Sequence, residues 1–226
     1  MEGKKGYTLF EKWTGRAVPP RAPKPENSIG NLLKLHCGDY ICARVLEEDD
    51  RPFTVTEVRE YRRSIAQQDY RFTDYLLERG DQVRILRANP RARAGALPQD
   101  CDLLWLKIFY EMEFDQNVRN AVTQKVFEVD NNDDGTPDAF YDALSAGQEG
   151  FLADIRAARS GNPQISSRKL RYWDFYRKGD PKQGERAEED IFFFVEIDEG
   201  DGYTTMLEGA KISGGDIEIY PAGETG

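Results

Sequence analysis

The sequence predicts an α+β fold dominated by antiparallel sheet, laid out as meanders and hairpins of sandwich- or barrel-like form, with a few short helices. Three observations predict it. Strand-length runs alternate apolar and polar residues with a period near two, as in Phe53-Thr54-Val55-Thr56-Glu57-Val58-Arg59-Glu60-Tyr61. Turn residues separate these runs at short spacing, at Gly38-Asp39, Gly80-Asp81 and Gly161-Asn162-Pro163. The chain is 226 residues long and 12% aromatic, enough to build a core without disulfides or metal.

The elements follow in order. Residues 1–26 read as a flexible, basic tail, because Pro19, Pro20, Pro23 and Pro25 deny it both helix and sheet hydrogen bonds. Phe10 and Trp13 interrupt this tail as a short amphipathic turn that docks on the body or on a partner. Residues 27–221 are expected to form a single β-rich domain, with residues 222–226 as a C-terminal tail. Strand runs are expected at Leu32–Leu35, Tyr40–Leu46, Phe53–Tyr61, Tyr70–Glu78, Gln82–Ala88 and Leu103–Tyr110, with a loop over residues 89–101. Between Asp115 and Val129 the fourfold spacing of Val118, Val122 and Val126 suits a helix, while their β-branching favours a strand; a strand near Val126–Val129 is expected. Short helices are expected at Asp138–Leu144 and Gln148–Ala158. Lys169–Tyr176, Ile191–Ile197, Tyr203–Glu208 and Asp216–Tyr220 complete the sheet, with a charged loop at Lys178–Glu188.

Charge narrows the partners. A net charge of −10 argues against nucleic acid and against direct adsorption to anionic lipid, leaving membrane association indirect. Residues 1–25 hold six Lys or Arg against two Glu, whereas from Ala187 onward eleven acidic residues face the single basic Lys211. These runs read as solvated surface, or as a basic start that docks on a partner. No apolar run has signal-peptide or membrane-helix length, so a cytoplasmic location is expected. Cys37, Cys42 and Cys101 are too loosely spaced for a disulfide framework. With His36 they make at most an incomplete metal set.

One acidic loop carries the clearest chemistry. Asp130, Asn132 and Asp134 fall at alternate positions, Gly135 follows, Thr136 offers its carbonyl, and Asp138 comes three residues after Gly135. This pattern wraps a hard cation such as Ca²⁺. Tyr141 stands where an EF-hand closes with a bidentate Glu, and Pro137 removes a backbone donor. The same residues are those that a solvent-exposed turn prefers. The run resembles the calcium loops of thrombospondin type 3 and EF-hand-like repeats.

Other candidates are carboxylate pairs that share a strand face, Glu111 with Glu113 and Glu196 with Asp198, which suit a glycosidase-like hydrolase or a solvated surface. Tyr172, Trp173, Phe175 and Tyr176 divide between the two faces of one strand, as core or as a groove. With one histidine and no nucleophile elbow or phosphate loop, no catalytic residue is assigned.

The body, from Leu35-x-x-Gly38-Asp39-Tyr40 through Tyr70–Glu78 and Gln82–Arg87 to Arg171–Arg177, Glu189–Asp198 and Asp216–Ile219, resembles bacterial YjfK-like proteins and the β-rich domains found beside them. That resemblance implies a cytoplasmic protein of phage-shock-associated envelope-stress systems, with no catalytic residues to carry over. It also implies a phage-shock-protein-A-like partner, whose basic coiled coil the acidic chain would suit. The expected function is a non-catalytic binding or scaffold module. The alternatives are a calcium-binding module using the acidic loop and a carboxylate-dependent hydrolase.

Overall fold

The computed structural model describes residues 34–43, 46–47, 51–65, 68–90, 101–130, 132–144 and 150–222. The expected tail at 1–26, all but Ala222 of the expected tail at 222–226, the strand start at Leu32-Leu33, and the middle of the 89–101 loop lie outside the described residues.

Twelve strands, one α-helix and two short 3₁₀ turns, at Pro181–Gln183 and Gly214–Asp216, make up the regular structure of the described chain. The strands are β1 (Tyr40–Cys42), β2 (Phe53–Ile65), β3 (Gln68–Arg79), β4 (Gln82–Pro90), β5 (Cys101–Glu113), β6 (Val126–Val129), β7 (Ala139–Ala143), β8 (Phe151–Arg159), β9 (Asn162–Lys178), β10 (Asp190–Asp198), β11 (Tyr203–Ile212) and β12 (Glu218–Tyr220); the helix, α1, is Gln116–Val122. β2, β3, β4 and β5 form one meander; β8, β9, β10 and β11 form a second. β5 pairs with β11 and β8 pairs with β2, all antiparallel, so the eight strands close into a barrel. Closure satisfies every strand edge within the ring.

The α+β expectation is corrected: the fold is nearly all β, a closed eight-stranded antiparallel barrel with extra strands. Both expected helices on this part of the chain are strands. Asp138–Leu144 holds β7, whose buried Ala139 and Tyr141 alternate with exposed Phe140 and Asp142. Gln148–Ala158 holds β8, in which Ala153, Ile155 and Ala157 are buried in alternation. Alanine-rich composition favours a helix locally, but pairing with β2 on one side and β9 on the other overrides that preference. The ambiguous segment divides: α1 buries Val118 and Val122 at fourfold spacing, and β6 follows at the expected Val126–Val129. Asp115 caps α1 by accepting the Val118 amide at 2.8 Å.

Local chemistry explains the tight corners. β3 and β4 are joined by Gly80-Asp81, and Gly80 takes a φ of +63°, a left-handed conformation that glycine adopts without a Cβ penalty. Gly209, in β11, lets that strand lie close on β5: a Cβ there would stand 2.0 Å from the Trp105 carbonyl oxygen.

The extra strands cover the barrel from outside. β1 and β12 pair with each other and extend from the start of β2. Under them Ile41, Phe53, Val55, Tyr75, Leu77, Leu86, Leu103 and Trp105 form one core. Glu47 fastens the adjoining loop, accepting from Trp105 Nε1 at 2.9 Å and pairing with Arg79 and Arg84. On another flank, α1 and the β6–β7 hairpin pack Val118, Phe127 and Tyr141 onto Phe175, Phe193, Val195 and Met206. Here the Tyr141 hydroxyl donates to Glu208 at 2.5 Å.

With apolar layers outside, alternation turns many polar residues inward. A bulge between Val55 and Glu57 switches β2 from the outer core to the lumen. From there Glu57, Arg59, Tyr61 and Arg63 share one inward face.

Candidate functional site

The lumen holds the unusual chemistry. Arg87 on β4 is 3% exposed and donates from Nε and Nη2 to the two oxygens of Asp74 on neighbouring β3, both at 2.8 Å. Its Nη2 also pairs with Glu196 on β10. β5 and β11 stand between β4 and β10 in the sheet, so this contact crosses the lumen. The guanidinium lies over Phe194 at 4.5 Å, Phe72 at 4.6 Å and Tyr61 at 5.6 Å, ring faces that favour a cation. Burial works against its charge, but Asp74 and Glu196 outweigh burial and hold its pKa well above the ordinary value.

Around this triad lie groups without such partners. The Tyr61 side chain is stacked on Phe72 at 4.2 Å and fully buried, and its hydroxyl has no hydrogen-bond partner. Burial, with Glu196 and Asp74 adding to it, keeps that phenol protonated. Asp174 on β9 has a buried Oδ1 with no partner. Burial pushes this carboxyl up to about 6, while Arg63 and Arg87 pull it down and Glu196 pushes it further up. Arg63 on β2 is boxed by Phe151 at 4.2 Å, Tyr70 at 5.0 Å and Tyr172 at 5.4 Å, and its Nε and Nη1 are buried without a partner. Lower in the sequence of β2, Glu57 pairs with Arg59 and Arg159, both at 2.6 Å. Burial alone would raise its pKa; the two arginines lower it.

Glu196 and Asp198 do share an inward face, but each is tied to an arginine, Glu196 to Arg87 and Asp198 to Arg168 at 2.8 Å. Glu111 and Glu113 are exposed near the end of β5. The aromatic run on β9 divides between the faces: Tyr172 joins the lumen, while Trp173 and Phe175 pack under the outer hairpin. His36, Cys37 and Cys42 form no metal cluster, and none is found among the described residues. Cys37 instead directs its thiol at the Ala158 carbonyl, 3.3 Å away, and burial raises its pKa.

The acidic loop connects β6 to β7. Asp130 accepts amides from Gly135 at 2.7 Å, Asn132 at 3.1 Å and Asp134 at 3.3 Å. Slight desolvation is the largest single influence on Asp130 and pushes it up, but these amides together hold its carboxyl below the ordinary value. Asp134 accepts from the Thr136 amide at 2.8 Å, and Asn132 donates to both oxygens of Asp138 at 3.0 and 3.1 Å. The loop brings Asn132 to Asp138 and spends Asp130 and Asp134 on its own backbone. Asp133 takes a φ of 55°, within the left-handed region that Asp tolerates.

Sequence reasoning missed Asp74, Arg87, Arg63 and Asp174. The available signal was on β2, where Glu57, Arg59 and Arg63 fall on one face with Tyr61 among them, which reads equally as a solvated face. No described helix is long and apolar enough to cross a membrane. Compared with protein-family models, with curated proteins and with solved structures, the chain finds no match.

Proposed function

We propose that the chain is a non-catalytic binding or scaffold module with a protein partner of basic surface. The observation that carries this reading is the pairing inside the barrel. Glu196, Asp198, Asp74 and Glu57 are each committed to an arginine of the same barrel. A general acid or base must reach the reacting atoms, and these carboxylates are engaged. The hydrolase reading through the Glu196 and Asp198 pair therefore has less support. With internal charges largely balanced, the net charge of −10 is mostly an outward property, which suits electrostatic docking.

The YjfK-like resemblance implies a phage-shock-protein-A-like partner in a cytoplasmic, bacterial envelope-stress setting, and that is the pairing to test. Mixing the two purified proteins at low ionic strength is expected to give a complex in size-exclusion chromatography, weakened by added salt. Two separate peaks at low salt would sink the proposed pairing.

A second reading is a Ca²⁺ site in the acidic loop, favoured by the convergence of Asn132 and Asp138. Its expected result is binding heat at about millimolar Ca²⁺, absent when Asp130→Ala and Asp134→Ala are combined. A flat titration of the wild type ends it.

A further inference from the structure

We propose that the lumen beside Arg87 is a binding site for a small zwitterion of the amino-acid type, its carboxylate held by the Arg63 guanidinium and its ammonium by the Asp174 carboxylate. This goes beyond the protein-docking reading and is independent of it.

Arg87 is satisfied by Asp74 and Glu196. Two ionisable groups of opposite sign are left over in the same region. Arg63 keeps Nε and Nη1 buried with no acceptor, and Asp174 keeps Oδ1 buried with no donor. Each is close enough for Arg63 to pull the Asp174 pKa down, yet no ion pair joins them. Buried polar atoms are rarely left unpaired, and those that are point to a missing partner. The Tyr61 hydroxyl is a third such group, in a side chain that is 1% exposed.

The ligand's charge follows from this pair. A simple anion would satisfy Arg63 but add a fourth negative charge to Asp74, Glu196 and Asp174. A simple cation would satisfy Asp174 and leave Arg63 bare. A molecule carrying both charges at short range serves both groups and leaves the net charge unchanged. Guanidinium is suited to a carboxylate by its fork of donors. The rings of Phe151, Tyr70 and Tyr172 surround Arg63 and hold its guanidinium in place for a carboxylate. An eight-stranded barrel is of the size whose lumen is filled by side chains or holds one small ligand.

The experiment is isothermal titration calorimetry of the full chain with each proteinogenic L-amino acid in turn. At least one is expected to bind. For that amino acid, the methyl ester and the N-acetyl derivative each remove one charge, and each is expected to bind about tenfold more weakly or worse. Arg63→Gln and Asp174→Asn are expected to weaken the parent amino acid similarly, whereas Arg62→Gln, on the exposed face of β2, leaves it unchanged. Near pH 6 the binding heat should also vary with the ionisation enthalpy of the buffer, as the ammonium drives a proton off Asp174. If no amino acid gives heat, or if ester and N-acetyl forms bind as well as the parent, the proposal fails. The derivative series uses wild-type protein, so it decides even if a variant does not fold.

Discussion

Replacing Arg87 with methionine is expected to destabilise the protein by about 3–5 kcal/mol, because it strands two buried carboxylates. Asp74 and Glu196 are 1% and 3% exposed, and each has Arg87 as its ion-pair partner. Removing the cation also ends its attraction to the ring faces of Phe72 and Phe194. Urea denaturation of wild type and variant measures the loss. A triple variant, Arg87→Met with Asp74→Leu and Glu196→Leu, is expected to recover most of it, since apolar groups of similar volume replace a buried ionic cluster at little cost. A single variant within about 1 kcal/mol of wild type would mean that the cluster is solvated.

Asp174→Asn is expected to act in the opposite direction, and only above a certain pH. The Asp174 carboxyl moves from an ordinary 3.8 up to about 6 on folding. Between those values the folded protein holds a proton that the unfolded chain has released. Stability therefore falls as pH rises through this window, and the loss is complete above the folded value. Allowing for the partial exposure of the residue, the charge opposes folding by about 2 kcal/mol at pH ~8. Burial is the main cause of this rise; Arg63 from β2 and Arg87 from β4 oppose it, and Glu196 from β10 adds to it. Asparagine removes the ionisation, so the variant should exceed wild type by that amount at high pH and match it near pH ~4. Urea titrations of both proteins across the range check it; a difference that does not change with pH would refute it.

Much of the sheet was legible in the residues. Alternation located β2, β3 and β4, and the apolar runs located β5 and β10, because side-chain period survives in sequence. Closure was not legible. The β2–β8 pairing joins Tyr61 to Ile155 across most of a hundred residues, and no local pattern announces such a partner. The same pairing made Phe151–Arg159 a strand where its alanines promised a helix. The polar faces were misleading for a related reason. Glu57, Arg59 and Arg63 alternate with outward residues as a solvated face would, and only the outer layers of β1, β12, α1 and the β6–β7 hairpin show that these charged residues point inward, beside the apolar cluster of Ile85, Leu104, Leu106, Phe194 and Leu207. At the acidic loop, the turn was legible residue by residue. The choice between an ion and backbone amides for Asp130 was not, because both use the same oxygens.

The pairing of β1 with β12 sets Tyr40 directly opposite Tyr220, and the Ala222 amide donates to Asp39 at 2.8 Å. Whatever is attached ahead of residue 40 and whatever is attached after residue 222 therefore leave the barrel as neighbours. The body can be spliced into a loop of another protein, or its ends joined by a short linker and new ends opened at the Gly80-Asp81 turn, with little rearrangement of the ring.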